Sequence, residues 1–110
     1  ATWNITVETS LYVPQSHLCR LLNVVNTYIV DIKDLNPDIY LEYTRKDIGL
    51  LKENLQWLAE HVATENIFVR VPSIPNHNTP ENIEYSVEEL KKLGLVNIEC
   101  FDYINPKQVK

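Results

Sequence analysis

Glycine and methionine are scarce in this 110-residue chain, which contains two glycines, Gly49 and Gly94, and no methionine. Average usage would give about eight glycines in a chain of this length. No glycine-rich phosphate-binding loop is present, and neither a Ser-His-Asp spacing nor a zinc-ligand spacing occurs. These absences exclude the commonest nucleotide-binding, triad-hydrolase and zinc-binding motifs.

Cysteine is scarce as well, and the separation of Cys19 from Cys100 excludes a C-x-x-C metal or redox motif. Cys100 lies in an apolar run and Cys19 in a predicted helix, so we expect both to be buried free thiols. Free thiols persist in reducing compartments, which favours a cytoplasmic protein.

Long hydrophobic runs and basic stripes are also missing. No run approaches the ~18 apolar residues of a membrane span, and no basic segment precedes an apolar stretch as in a signal peptide. The formal net charge is −5 with acids and bases interspersed, whereas a nucleic-acid surface needs a basic stripe. We therefore predict a single domain over 1–110, with neither membrane nor nucleic acid as a partner.

Four apolar, β-rich segments stand out in the sequence. They are WNITVET (3–9), YIVDIK (28–33), NIFVRVP (66–72) and NIECFDY (97–103). Helical patterns separate them, so the order is β-α-β-α-β-α-β. This alternation predicts an α/β fold with parallel strands and right-handed crossovers, either as one layer or as a section of a barrel.

Periodicity and capping signals define the helices between these strands. Helices are predicted over 14–24, 48–63 and 80–93, with one or two further turns over 37–43. Leu51 and Leu55 belong to an apolar stripe on the second helix. The third helix begins at Thr79-Pro80, a capping residue followed by proline, and Gly94 ends it.

Polar side chains occur at the carboxyl end of every predicted strand, where the sites of parallel α/β folds collect. They are Glu8-Thr9, Asp31 with Lys33, Arg70, and Asp102-Tyr103. Asp31 and Lys33 are two residues apart, so they point to the same side of the strand. Two interpretations are open: a salt bridge at the rim of the sheet, or a site for a charged ligand.

The three histidines give little indication of a functional role. His17 and His61 fall on predicted helices, where we expect them at the surface. His77 lies in the Pro-Asn loop SIPNHNTP, where a solvated histidine is the simpler interpretation and a ligand the alternative.

Four ordered stretches carry a family resemblance. They are VETS (7–10), VDIKDLNPDIYLEYT (30–44), LLKENLQWLAE (50–60) and FVRVPSIPNHNTPENIE (68–84). Their order and spacing resemble the radical S-adenosylmethionine activating enzymes of glycyl radical enzymes, the pyruvate formate-lyase activating enzyme family. The last strand, IECFDY, is similar to the closing strand of that family, so the resemblance covers nearly the whole chain.

The resemblance implies a partial TIM-type barrel of six βα units, of which this chain would form about four strands. It implies an oxidoreductase in which a four-iron four-sulfur (4Fe-4S) cluster reduces S-adenosylmethionine. The resulting radical would take a hydrogen from a backbone glycine of a pyruvate formate-lyase-like glycyl radical enzyme. Such an activase is expected in the cytoplasm of an anaerobic cell.

The resemblance also assigns a cofactor site. Lys33 would pair with the carboxylate of S-adenosylmethionine, a role that suits a compact charge on a long stem. Arg70 would face the cofactor and the incoming glycine loop. Pro72 and Phe101 would hold the adenine through backbone and apolar contacts.

An oxygen cluster near the methionine end of the cofactor completes the implied site. Glu8, Thr9 and Asp31 would form it and bind a monovalent cation, for which hard oxygen ligands are the right type. No iron–sulfur ligands are expected within this chain.

The chain departs from the family pattern in several places. The C-x-x-x-C-x-x-C cluster loop and the G-G-E/D-P stretch are absent and would lie before Ala1. We therefore expect the carboxyl-terminal portion of an activase, inactive alone, whose open sheet edges favour a homodimer. Asn76 replaces a loop glycine, and Asp102 and Ile104 replace a proline and a histidine of the closing strand.

Two other functions remain open on the residues alone. Lys33 can form a Schiff base in a barrel enzyme, although this chemistry needs a neutral, desolvated lysine and nearby carboxylates favour the charged ammonium. Alternatively, the chain is a non-catalytic α/β scaffold whose rim charges are structural.

Overall fold

Four strands pair in parallel, each beside the next along the chain, in the computed structural model, which describes residues 4–102. They are β1 (Thr6–Thr9), β2 (Thr27–Asp31), β3 (Ile67–Ser73) and β4 (Asn97–Asp102). The predicted α/β fold with parallel strands is confirmed. Residues 3 and 103, at the outer ends of the first and last predicted strands, lie outside the described residues, as does Ile104.

The second strand is shorter than predicted, because it ends at Asp31 instead of Lys33. The backbone N–H of Ile32 still donates to the carbonyl of Arg70, at 3.2 Å, and the chain then bends at Lys33. Lys33 therefore stands just beyond the sheet, at its carboxyl edge.

A short 3₁₀-helix (Thr64–Asn66) precedes β3, and four α-helices lie between the strands. They are α1 (Gln15–Leu21), α2 (Pro37–Thr44), α3 (Gly49–His61) and α4 (Pro80–Lys92). The connection from β2 to β3 holds both α2 and α3, and the turns predicted over 37–43 form the first of these. No helix within residues 4–102 is long and apolar enough to cross a membrane.

Side-chain caps fix the ends of two helices. The hydroxyl of Thr79 accepts from the N–H of Asn82, while the Asn82 side chain accepts from the N–H of Thr79, which forms a reciprocal cap at the start of α4. Gly94 follows α4 with a left-handed φ of 88°, as the predicted stop requires. Asn36 caps α2 by accepting from two backbone N–H groups.

The helices pack on one face of the sheet, where buried side chains alternate along the strands. Tyr28 and Val30 on β2, and Ile67 and Val69 on β3, point to this face. Their helical partners in the same cluster are Leu18, Tyr40, Leu51, Leu55, Leu58 and Leu90. Strand residues at the intervening positions lie on the opposite face.

The two cysteines correct an expectation, because both are exposed rather than buried. Cys19 follows Leu18, which is the buried residue of α1. Cys100 lies on β4, an edge strand whose side chains remain largely accessible. Apolar neighbours in sequence do not bury a residue at a sheet edge, because burial there needs a further element to cover it.

Asn54 on α3 is a buried polar anchor for the loop after β1. Its side-chain amide donates to the carbonyls of Leu11, at 2.7 Å, and Val13, at 2.8 Å. Leu11 is fully buried with a left-handed φ of 60°, a conformation that is costly for a branched side chain. The two hydrogen bonds therefore hold a strained loop against the core.

Replacing Asn54 with leucine removes both donors at similar side-chain volume. We expect the free energy of unfolding to fall by about 1–3 kcal/mol, because two carbonyls lose their partners while removal of the buried, unpartnered Oδ1 of Asn54 offsets part of the loss. Urea unfolding followed by circular dichroism measures the change. Glu53→Gln, at an exposed position of the same helix, should stay within about 0.5 kcal/mol of wild type. A leucine variant as stable as wild type would contradict the anchor.

Candidate functional site

The sheet face turned away from the helices, which we call the open face, carries polar side chains from neighbouring strands. Because the strands are parallel and in register, side chains at paired positions form rows that run across the strands. Glu8 lies beside Ile29, and one row nearer the carboxyl ends Asp31, Arg70 and Glu99 lie side by side. An open cavity of about 460 Å³ lies over part of this face. Its lining residues are Thr6, Glu8, Thr27, Ile29, Phe68, Arg70 and Glu99.

The guanidinium of Arg70 is the centre of the second row. Its Nη2 lies 4.0 Å from Oε1 of Glu99, and its Cζ lies 4.2 Å from the centroid of the Phe101 ring. Both partners belong to β4, so the last strand holds Arg70 by one charge contact and one cation–π contact. Asp31 flanks Arg70 in register on the other side.

Lys33 and Asp31 form an ion pair at the carboxyl edge of β2. The Lys33 Nζ lies 3.4 Å from Oδ1 of Asp31, as their spacing predicts, and the side chains are 29% and 38% exposed. The neighbours Ile32 and Asp34 are buried, which fixes the direction of the Lys33 side chain. A partly exposed pair contributes at most about 1 kcal/mol, so a ligand carboxylate can compete for Lys33.

Two of the predicted cofactor residues, Thr9 and Pro72, contribute no exposed side chain to the open face. Thr9 alternates with Glu8 along β1 and so points to the helix side, where its hydroxyl accepts from the N–H of Leu11 at 3.0 Å. Pro72 is buried, and its carbonyl accepts from the side-chain amide of Asn78 at 2.9 Å. The residues that the structure brings together are Glu8, Asp31, Lys33, Arg70 and Phe101.

Asp34 is a neighbour of this site that sequence reasoning missed. It is fully buried and accepts from the N–H of Asn36 at 2.8 Å, the amide of Asn78 at 3.2 Å and the hydroxyl of Ser86 at 3.4 Å. This network ties the end of β2 to the loop after β3 and to α4. Asn78 and Ser86 are distant from Asp34 in sequence. The sole local signal for this network was therefore an acidic residue directly after the predicted second strand.

Burial raises the pKa of the Asp34 carboxyl above its ordinary value of 3.8, and the hydrogen bonds from Asn36, Asn78 and Ser86 only partly offset this. Folding therefore favours the protonated acid. The stability that Asp34 contributes is fully present below its unfolded pKa and is lost as the pH rises through the raised folded pKa.

We expect the free energy of unfolding of the wild type to fall relative to that of Asp34→Asn as the pH rises through this window. The reason is that an amide does not titrate. Urea unfolding of both proteins over a pH series measures the difference, in which shared titrations cancel. In Asp34→Asn, the new side-chain amide also faces the amide of Asn78. This contact changes the stability difference between the two proteins by the same amount at every pH, so the dependence of that difference on pH is unaffected. A wild type that becomes more stable relative to Asp34→Asn as the pH rises would contradict the raised pKa.

The histidines take no part in the open face. His17 and His61 are exposed, as predicted. His77 is exposed in the loop after β3 and packs edge-on against Tyr43, with ring centroids 4.9 Å apart. Within the described part of the chain, no group of three or more His, Cys, Asp and Glu side chains is positioned to hold a metal ion.

The open face suits a zwitterionic ligand that also carries an apolar ring. Lys33 and Arg70 offer two cations to an anionic group. The carboxylates beside them suit a cationic group, and Phe101 with the half-exposed Phe68 offers aromatic surface. S-adenosylmethionine, with its carboxylate, ammonium, sulfonium and adenine, fits this donor set.

Two curated relatives are similar to this chain. The (2S)-3-sulfopropanediol dehydratase activating enzyme of Klebsiella oxytoca is 37% identical over 91 residues, which are 80% of this chain and 28% of that protein. The trans-4-hydroxy-L-proline dehydratase activating enzyme of Clostridioides difficile is 28% identical over 105 residues, which are 93% of this chain and 34% of that protein. The chain thus spans about a third of the length of the curated relatives it matches.

A solved structure shares the fold. It is a domain of pyruvate-formate lyase-activating enzyme from Bacteroides vulgatus ATCC 8482, with a TM-score of 0.55 and 12% identity, covering 92% of this chain and 81% of that one. No family model matches the sequence. The predicted resemblance to activating enzymes of glycyl radical enzymes is confirmed by the two relatives, and the fold is consistent with part of a barrel.

Proposed function

We propose that this chain, a homologue of the activating enzymes of glycyl radical enzymes, supplies part of the S-adenosylmethionine site of such an activase. The observation that supports the proposal is the arrangement at the carboxyl edge of the sheet. There Lys33 and Arg70 lie beside carboxylates, and the Phe101 ring lies under the guanidinium. The whole reaction is assigned to a longer protein, because the chain matches about a third of its relatives.

The proposal gives each of these residues a separate role in binding the cofactor. Lys33 exchanges its contact with Asp31 for the methionine carboxylate, and Arg70 faces the cofactor and the glycine loop of the partner. Phe101 and the backbone at Pro72 border the adenine.

The proposed monovalent cation site draws on neighbouring strands. Glu8 and Asp31 supply carboxylates from the same face. Thr9 turns its hydroxyl to the helix side, where it accepts from the N–H of Leu11, so the carboxylates of Glu8 and Asp31 are the main ligands in this proposal. Hard oxygen ligands of this kind suit such an ion.

The cysteines do not fit the iron–sulfur cluster that the family resemblance implies. Cys19 lies on α1 and Cys100 on β4, and no three-cysteine loop occurs in the sequence. We assign the cluster ligands to another part of the parent protein and expect no radical chemistry from this chain alone.

The relatives support a proposal for the partner, and the exposed thiols support one for the setting. We propose that the parent activates a glycyl radical enzyme, and that this enzyme is a dehydratase rather than a pyruvate formate-lyase-like protein, since both curated relatives are named for dehydratases. A reducing cytoplasm would keep the two exposed thiols free.

S-adenosylmethionine should bind this chain with a dissociation constant on the order of 1 mM, because only part of the site is present. Lys33→Ala should weaken binding roughly fivefold, since one charge contact to the ligand carboxylate is lost. Amide chemical shifts recorded by NMR during a titration measure the affinity and the location of binding.

The matched control for this titration is Lys91→Ala, at an exposed position in the last turn of α4, which should bind like wild type. Unchanged affinity in Lys33→Ala, together with lower stability, would favour the scaffold interpretation. If this chain alone formed 5′-deoxyadenosine with dithionite as the reductant, the assignment of the cluster ligands to another part of the parent protein would be wrong.

We also propose that the isolated chain forms a homodimer through the open face, where Phe68 is 42% exposed. The second copy and S-adenosylmethionine then compete for this face, so saturating ligand should shift the chain toward monomer. Analytical ultracentrifugation at tens of micromolar should detect the dimer, and Phe68→Ser should shift it toward monomer because apolar contact area is lost. Tyr85→Ser, at a residue of α4 that is 41% exposed, should not. A monomeric wild type would rule the dimer out.

A further inference from the structure

The backbone hydrogen-bond ladder between β2 and β3 stops at a proline. The N–H of Ile32 donates to the carbonyl of Arg70 at 3.2 Å, so in parallel pairing the carbonyl of Ile32 faces the backbone nitrogen of residue 72. That residue is Pro72, which has no N–H to donate. Lys33 therefore lies just beyond the point where β3 can support β2 through its backbone.

The side chain of Asn78 connects the two chains where the ladder ends. Its amide nitrogen donates to the carbonyl of Pro72 at 2.9 Å and to a carboxylate oxygen of Asp34 at 3.2 Å. Its oxygen accepts from the N–H of Ile74 at 2.8 Å. One side chain thus joins the carboxyl end of β3 to the residue that directly follows Lys33.

The loop after β3 is shaped to return Asn78 to the sheet. The carbonyl of Ile74 accepts from the N–H groups of His77, at 3.1 Å, and Asn78, at 3.2 Å. Asn76 adopts a left-handed φ of 68°, a conformation that asparagine tolerates better than branched residues do. This tight turn brings the Asn78 amide back beside Pro72.

Asn78 differs from the other partners of Asp34 in what it connects. Asn36 belongs to the same loop as Asp34, and Ser86 belongs to α4, so their hydrogen bonds do not act on β3 directly. Asn78 links Asp34 to the end of β3 itself. Because Asp34 is buried and adjacent to Lys33, this link sets where the Lys33 backbone lies relative to β3.

We propose that Asn78 is a positioning residue of the cofactor site, which holds Lys33 and the backbone of Pro72 at a fixed separation. The inference rests on the proposed function, in which Lys33 binds the methionine carboxylate and the backbone at Pro72 borders the adenine. These two groups contact opposite ends of S-adenosylmethionine, so a change in their separation lowers affinity even where each group is intact. Asn78 acts through them rather than by contact with the ligand.

The test is a double-mutant cycle in the affinity for S-adenosylmethionine, measured by NMR titration. Asn78→Ala should weaken binding by about threefold, because the shared donor is lost. Lys33→Ala should weaken binding roughly fivefold in the wild type. In the Asn78→Ala background the same change should weaken binding less than about twofold, since Lys33 is no longer held in place, whereas independent effects would multiply.

A measurement without ligand accompanies the titration. Backbone amide order parameters from NMR relaxation should fall at Lys33 and Ser73 in Asn78→Ala, because both segments lose their common tie. The matched control is Asn97→Ala, which removes an amide that donates to the carbonyl of Glu65 at 3.0 Å, at the amino end of β4. This control should leave the affinity and both order parameters unchanged.

A second variant serves if Asn78→Ala does not fold. Asn78→Asp keeps an oxygen that accepts from the N–H of Ile74, so the loop stays capped. At about pH 8 its carboxylate has no hydrogen to donate and repels the carboxylate of Asp34. It should show the same loss of affinity and the same reduced effect of Lys33→Ala.

The outcomes separate this inference from the proposed function. If Lys33→Ala weakens binding equally in both backgrounds, or if the order parameters at Lys33 and Ser73 do not change, Asn78 does not position Lys33. The inference is then wrong while the cofactor site stands. If S-adenosylmethionine at tens of millimolar shifts no residue of the open face in the wild type, the cofactor site is wrong and the inference falls with it.

Discussion

Within residues 4–102, the helices cover one face of the four-stranded sheet, and this one-sided packing determines what the other face displays. Side chains alternate along a strand, so each buried residue such as Val30 or Val69 places its neighbour on the open face. Parallel register then aligns Asp31, Arg70 and Glu99 in one row. The charged row is thus a direct consequence of a core that is built on one side.

Buried polar groups stabilise the loops at the carboxyl edge of the sheet. Asn54 holds the loop after β1, and Asp34 joins the end of β2 to Asn78 and Ser86. Asn54 donates two hydrogen bonds through its amide, and the Asp34 carboxylate accepts three, in a core where an unmade bond would be costly. The loops that border the open face are therefore held firmly, so a ligand at this face would meet a largely formed surface.

Local patterns predicted the elements well. Alternating strands and helices gave the parallel sheet, the caps at Thr79 and Gly94 gave the bounds of α4, and the spacing of Asp31 and Lys33 gave their contact. These features depend on residues close together in sequence.

Features that depend on distant residues were missed or mistaken. The roles of Asn54 and Asp34 rest on partners more than forty residues away. The exposure of Cys100 depends on what covers an edge strand. Periodicity and composition do not encode such contacts.

The most direct test of a cofactor site on the open face is to measure nuclear Overhauser effects between S-adenosylmethionine and this chain. The account predicts contacts from the adenine protons to the Phe101 ring and from the methionine methylene protons to the Lys33 side chain. Contacts confined to the helices, or to the amino ends of the strands, would contradict it.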